Sequence, residues 1–478
     1  MGTRWTLWLA PAATAFVAAA ALAYWLTPDR FAPDERLREP VGPVAPSTTA
    51  SAKAPKAIDI RGQFARGPGQ LGTDLGAWPA FRGPNRDAVS PEQVRLARSW
   101  PGGKPPELWR VELGEGYAGP AVQDGCVYVL DYDAKAKSDA LRCLSLADGR
   151  EIWRRWYHVN VPRQHGMSRT VPAVAGPHVV SLGPLGQVLC ADSRSGDFRW
   201  GIDLAAQYGT KVPPWYAGQC PLIDNGRAII APAGRALMIA VDAATGRVLW
   251  ETPNPRSWQM THGSIAVMEF AGRRMYVYCG SGGVAGVWAD DGRILWDYPD
   301  WSVPMANVPM PVPMGDGRIF LTGGYKAGSL ILQLEAQGDR VMPRAAARLK
   351  QEVFGSEQQT PIFFGGHLYG VLSKDAGALK EQMVCLDRDG RMLWASGPRH
   401  RFGPYGGPYI VADGLILVVD DNGALTLLEA TPRAFRPLAQ AKVLPGHESW
   451  APMALVGGRL LVRDLTTMVC LDLREQRQ

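Results

Sequence analysis

Five copies of Gly-x-x-x-Trp constrain this chain more than any other feature of its sequence. They fall at Gly149 and Trp153, Gly196 and Trp200, Gly246 and Trp250, Gly292 and Trp296, and Gly390 and Trp394. Successive tryptophans are 47, 50, 46 and 98 residues apart, the last step being two periods of 49. A fixed period in the forties marks an architecture of repeated units, each of which buries its apolar face only by stacking on its neighbours. Every copy lies between a short apolar run and a polar connection. Asp and Gly set a tight hairpin there, glycine supplies the positive φ, and tryptophan opens the next strand.

Between the copies one grammar repeats. A first strand opens near Pro120, Pro172, Pro221, Pro311, Pro361, Pro408 or Pro452, with Ser264-Ile265 in the odd copy. A turn follows, usually with glycine, then a second apolar strand such as residues 275–279 or 415–419. A third strand ends in the Asp/Gly turn that leads to the fourth. Eight first strands give eight four-stranded blades. Two copies are eroded, at 338–342 and 431–435, where Met342 and Phe435 stand in for tryptophan. Seven blades is the fallback if either is not a separate sheet. Residues 107–113 are one strand without the rest of a blade, and residues 449–472 are three strands and then a stop. Pairing the two closes a ring and removes two open sheet edges. Outside the amino terminus only residues 343–352 tempt a helical reading, and a loop or single turn suits them at least as well.

The fullest copy, Ala240-x-Asp242-x-x-Thr245-Gly246-Arg247-x-x-Trp250, resembles the tryptophan-docking motif of the PQQ-type β-propellers. That group holds the quinoprotein dehydrogenases and the non-catalytic BamB-type assembly proteins. The similarity covers roughly residues 109–472. It implies an all-β, eight-bladed PQQ-like propeller whose blades are stapled by Trp109, Trp153, Trp200, Trp250, Trp296 and Trp394, with Asp242 and Gly246 shaping the turn.

Residues 5–26 are an uncharged run of 22 residues preceded by Arg4. That is long enough to span a bilayer, and the positive flank and terminal aromatic residues suit an amino terminus left in the cytoplasm. A cleaved signal peptide with Ala21-Leu22-Ala23 at its site is the competing reading. Both export the rest of the chain. The expected organisation is therefore an anchor or signal at 1–27, a Pro/Ala-rich flexible, disordered tether at 28–76 that is too poor in large apolar groups to order itself, and a propeller at 77–478. Trp78 and Phe81 are expected to pin the incoming chain to the barrel side while Gly83-Pro84-Asn85 turns it. The net charge is +6, with no Lys/Arg block, so nothing points to nucleic acid. None of the seven cysteines forms CxxC, CxxCH or a vicinal pair. Cys143, Cys190, Cys385 and Cys470 hold the same place in their repeats and read as buried small hydrophobes. One disulfide elsewhere stays possible. The first cysteine is Cys126, so no amino-terminal lipid acceptor exists, a departure from the BamB-type pattern.

Loops leading into the innermost strands ring one mouth of a propeller, and here they are rich in aromatic and polar residues. The candidate ligand-binding residues at this mouth are His165, Arg169, Trp215, Tyr216, His262, Asn307, Glu357, Gln358, Tyr405, His447 and Trp450. A concave site of rings with a few polar groups suits a small molecule or peptide; the alternative is that the rings fill a wide channel. The histidines sit singly on separate loops, which is not metal-site spacing. Residues 420–423 lack the acidic pattern of a calcium loop and read as a hairpin turn. No Gly-x-Ser-x-Gly elbow is present. The quinoprotein dehydrogenases carry vicinal cysteines, a calcium set and often a haem segment. This chain has neither Cys-Cys nor CxxCH and no convincing calcium set, Glu357 and Asn307 being the least poor candidates. The expectation is a non-catalytic, membrane-tethered binding or scaffold protein of BamB type outside the cytoplasm. It has no catalytic residue, no metal and no required cofactor, and protein partners at the cell envelope. A PQQ- and calcium-dependent dehydrogenase, or a carbohydrate- or peptide-binding receptor, are the alternatives.

Overall fold

The computed structural model describes residues 58–73, 76–338 and 340–475. The apolar run at 5–26 lies outside them; among the described residues no helix is long and apolar enough to cross a membrane. They form an eight-bladed propeller, seven blades of four antiparallel strands and one of six. Blade 2 is typical, running from its inner strand Ala173–Ala175 through His178–Leu182 and Gln187–Asp192 to the outer Phe198–Asp203. Among the described residues helix is confined to Leu204–Tyr208 and the 3-10 turn Gly377–Leu379. The stretch at 343–352 is mostly strand: Arg340–Leu349 is the outer strand of blade 5. The ring closes in the last sheet, where Glu107–Glu112 is the outermost strand beside Thr467–Asp472. Antiparallel order brings the connections between blades, and the turns between second and third strands, to one face.

Each docking tryptophan faces a small residue where the strand register shifts. Trp153 faces Cys143, Trp200 faces Cys190, Trp250 faces Ala240, Trp296 faces Gly286, Trp394 faces Cys385 and Trp109 faces Cys470. Four of these rings lie against the turn glycine of the next blade. A Cβ on Gly149, Gly196, Gly246 or Gly292 would fall 2.4–2.7 Å from the ring of Trp109, Trp153, Trp200 or Trp250. Glycine is thus required twice over at Gly246, by this approach and by a φ of 77°. The indole N–H of Trp109, Trp153, Trp200 and Trp394 donates to the main chain of the next blade, at Leu146, Ser193, Ala243 and Thr431. Trp296 instead donates to the sulfur of Met275 in its own blade, at 3.3 Å. In the turn, Asp242 Oδ1 accepts from the amide and hydroxyl of Thr245, each at 2.8 Å. All seven cysteines are free and buried.

The eroded copies are not where the sequence suggested. In blades 5 and 7 the docking register holds Ala347, opposite Ile331, and Ala439, opposite Leu427. Met342 is exposed, near the turn of a long hairpin. Phe435 precedes its strand and packs on Trp394 of the preceding blade, 5.9 Å between ring centres. Small and large have changed places: where tryptophan is missing, the residue opposite is large.

Residues ahead of the first blade also differ from expectation. Part of the expected tether is ordered, for Gln63–Arg66 pairs with the outer strand of blade 1 and Ile60 is buried. Trp78 does not pin the chain to the barrel side. Ala77–Trp78 pairs with the innermost strand of blade 1, and Trp78 is 1% exposed. From there the chain crosses the central channel. The Pro79 carbonyl accepts from Val174 of blade 2, and Arg86 Nη2 donates to Ile223 of blade 3 at 2.8 Å. Arg82 donates to the carbonyls of Thr360 and Pro361 at 2.7 and 2.8 Å, and Val89 bridges Val411 of blade 7. Burial lowers the pKa of Arg82 to about 10, so it stays a cation held by carbonyl oxygens. These residues plug the channel from the face opposite the blade-connecting loops.

A candidate ligand-binding cup at the propeller mouth

The plug turns the channel into a blind cup. A cavity of about 310 Å3 opens among the blade-connecting loops, and Phe81 of the plug lines it. Eight of the sequence candidates line it: His165, Arg169, Trp215, His262, Glu357, Gln358, Tyr405 and Trp450. Three do not. Tyr216 is buried and its hydroxyl donates to the Pro162 carbonyl. Asn307 lines an adjoining cavity of about 270 Å3, where both side-chain polar atoms are buried without a partner. His447 is exposed and lines neither cavity.

The chain folds under strain around this mouth. His165, Trp215, Tyr216, Met305, Tyr325, Lys326 and Glu448 all have φ between 55° and 73°. Left-handed backbone is unfavourable for residues other than glycine and persists only where the surroundings impose it, commonly at ligand sites.

The rings form an arc. Trp450 lies between Tyr117, 5.0 Å away, and Tyr405, 4.8 Å away and edge-on. Its indole N–H donates to Asp421. The Tyr117 hydroxyl donates to Glu448 at 2.6 Å. At one end of the arc the Arg169 guanidinium sits 4.9 Å from the centre of the Tyr117 ring. Its Nε is buried and unpartnered, and burial lowers its pKa. At the other end Lys374 Nζ lies 4.9 Å from the Tyr405 ring and 2.6 Å from Glu357 Oε2. Glu357 is 2% exposed, so this ion pair is fixed rather than frayed. His262 Nε2 stands 2.8 Å from the Pro214 carbonyl, which can only accept, so Nε2 carries the proton. Burial, with a smaller contribution from the Arg169 charge, lowers the His262 pKa to about 4, and the ring is neutral at pH 7.

Sequence reasoning missed Tyr117, Tyr325, Lys374 and Phe81. Tyr325 and Lys374 sit on turns between second and third strands, which open on the same face as the connecting loops. That alternation was a usable signal. Nothing in the sequence marked Phe81 as the floor.

A calcium ion takes about 6–8 oxygen ligands. Glu357 is the one carboxylate lining the cup, Lys374 already holds it, and Asn307 faces the neighbouring cavity. Among the described residues no group of three or more His, Cys, Asp or Glu is placed to hold a metal. The donor set does not fit a calcium-bound quinone.

Residues 137–396 match the family model described as outer membrane protein assembly factor BamB. No curated protein matches the sequence. Among solved structures, BamB from Moraxella catarrhalis is 12% identical with a TM-score of 0.52, over 77% of this chain and 100% of that one. A europium-containing methanol dehydrogenase is 12% identical with a TM-score of 0.56, over 81% and 89%. A quinohemoprotein alcohol dehydrogenase from Pseudomonas putida HK5 is 13% identical with a TM-score of 0.53, over 84% and 81%. Such identities establish a shared fold; activity lives in the site.

Proposed function

This chain belongs to the family described as outer membrane protein assembly factor BamB, and from that premise we propose that it is a non-catalytic binding and scaffold protein of the cell envelope. Its propeller stands outside the cytoplasm, tethered to the inner membrane through the apolar run at 5–26. Arg4 ahead of that run and its bilayer-spanning length support the orientation. The observation that carries the binding role is the neutralised carboxylate. Glu357 is bound by Lys374 and unfit as a base or metal ligand, while the rest of the cup is ring surface suited to holding a guest. Its partners are proteins, as the family description implies.

The test uses the full-length protein in detergent. It is titrated with PQQ plus calcium while tryptophan fluorescence is followed, and assayed with an electron-accepting dye and alcohols. In parallel, cross-linking in intact envelopes asks whether it co-purifies with the outer-membrane protein assembly machinery. No saturable binding of PQQ at high micromolar concentration, together with such co-purification, is the expected result. Saturable, calcium-dependent binding with dye reduction would overturn it in favour of a dehydrogenase.

A further inference from the structure

The arc of rings is asymmetric in charge. Lys374 is matched by Glu357 at 2.6 Å, whereas among the described residues Arg169 has no carboxylate within ion-pair distance and no hydrogen-bond partner. Its guanidinium is held only over the Tyr117 ring. An arginine in a partly enclosed cup with its donors unfilled is matched to a planar oxyanion, which it can meet with two parallel hydrogen bonds. Glu448, behind the Tyr117 hydroxyl, contributes a negative field that opposes a dianion such as phosphate more strongly than a single negative charge. Beside Arg169, Tyr117, Trp450 and Tyr405 offer apolar faces and edges. The cup is also closed below by Phe81. A guest therefore enters by its end, and a chain cannot thread through.

We propose that the cup captures the carboxyl-terminal end of a polypeptide, with Arg169 taking the terminal carboxylate and the rings of Tyr117, Trp450 and Tyr405 taking an apolar last side chain. This rests on the reading of the protein as a scaffold with protein partners and names the part of the partner that is held. A free aromatic carboxylic acid presents the same chemistry, and the test separates the two sources.

The full chain is titrated, with tryptophan fluorescence and calorimetry, against four probes: N-acetyl-Ala-Ala-Ala-Phe with a free carboxylate, the same peptide as its carboxamide, N-acetylphenylalanine, and PQQ with calcium. The free-acid peptide is expected to saturate, and the carboxamide to bind about 10- to 100-fold more weakly, the size of a lost charge-assisted hydrogen-bond pair. Arg169→Gln is expected to erase the difference between acid and amide. Equal binding of acid and amide to the unaltered chain would overturn the proposal, and that comparison needs no variant to fold. Binding of N-acetylphenylalanine with exclusion of the longer peptide would overturn the polypeptide source. Saturable PQQ binding that requires calcium would sink the scaffold reading itself. Indifference to the carboxylate without PQQ binding would sink only this inference.

Discussion

Asp139 shows how a single residue ties the mouth to the blade beneath it. It is 1% exposed, accepts from the Tyr157 hydroxyl at 2.8 Å, and lies 3.4 Å from the hydroxyl of Ser168, the neighbour of Arg169. Burial raises its pKa to about 7, only partly offset by the Tyr157 hydrogen bond. The unfolded value is near 3.9. Between these values the native protein binds the extra proton, so this group makes stability fall as pH rises from about 4 to about 7. His262 acts in the opposite sense. Its native pKa lies below its unfolded one, so its contribution to stability grows as pH rises through about 4 to about 6.5. Asp139→Asn retains an acceptor and cannot ionise. Melting temperatures of the two proteins at pH 4.5 and 7.5 are expected to diverge, with the variant gaining relative to the parent at the higher pH. The His262 contribution is common to both and drops out of the difference. A constant difference across that range would refute the assignment.

At the scale of the strand pair, the docking motif is a contract between two residues. Tryptophan requires Cys, Ala or Gly across the ladder, and blades 5 and 7 satisfy the same volume with Ile331 over Ala347 and Leu427 over Ala439. Interiors packed to crystal density feel a single methylene, so the two solutions should not mix freely. Cys385→Leu is expected to overpack blade 6 by about 1–3 kcal/mol. Trp394→Ala is expected to cost about 3–5 kcal/mol. The double variant should cost less than their sum by at least about 1 kcal/mol, because leucine refills the space the ring leaves. Urea denaturation midpoints of the four proteins measure this, and strict additivity would show that the exchange of volumes is coincidental. The same logic explains why Met342 and Phe435 misled. Spacing from a turn glycine locates a strand only when the hairpin length is constant, and the blade 5 hairpin has strands of ten residues each.

The propeller is a ring whose closure depends on one strand from far upstream. Glu107–Glu112 completes the blade formed by residues 454–472. Ending the chain at residue 465 would remove Thr467–Asp472, strand the upstream segment and open two sheet edges. Such a protein is expected to lose its single cooperative melt and to exchange the inner-strand amides of blades 1 and 7 rapidly. A parent-like melting temperature and protection pattern would show that closure contributes little. The plug works at the same scale, since residues 77–90 touch inner strands of blades 1, 2, 3 and 7 and the residues leading into that of blade 6, and convert a channel into a cup.

The repeat period, the turn residues and the alternation of apolar positions determined an all-β eight-bladed propeller, because these signals are local and recur in every unit. Loop composition likewise marked most of the mouth, since aromatic residues cluster in the connections where a ring must converge. Three things were decided only by the folded ring. Trp78 was buried against the innermost strand of blade 1 and Phe81 became a wall of the cup, because the inner strands they pack on are brought around one axis only in the folded ring. Tyr216 and Asn307 turned away from the cup while Tyr117 and Lys374 entered it, because the direction of a loop side chain is set by its packing in the folded ring and not by sequence order. Finally, Lys374 met Glu357 while Arg169 was left unmatched. Which charge finds a partner depends on distances across the mouth, between residues of blades that are remote in the chain.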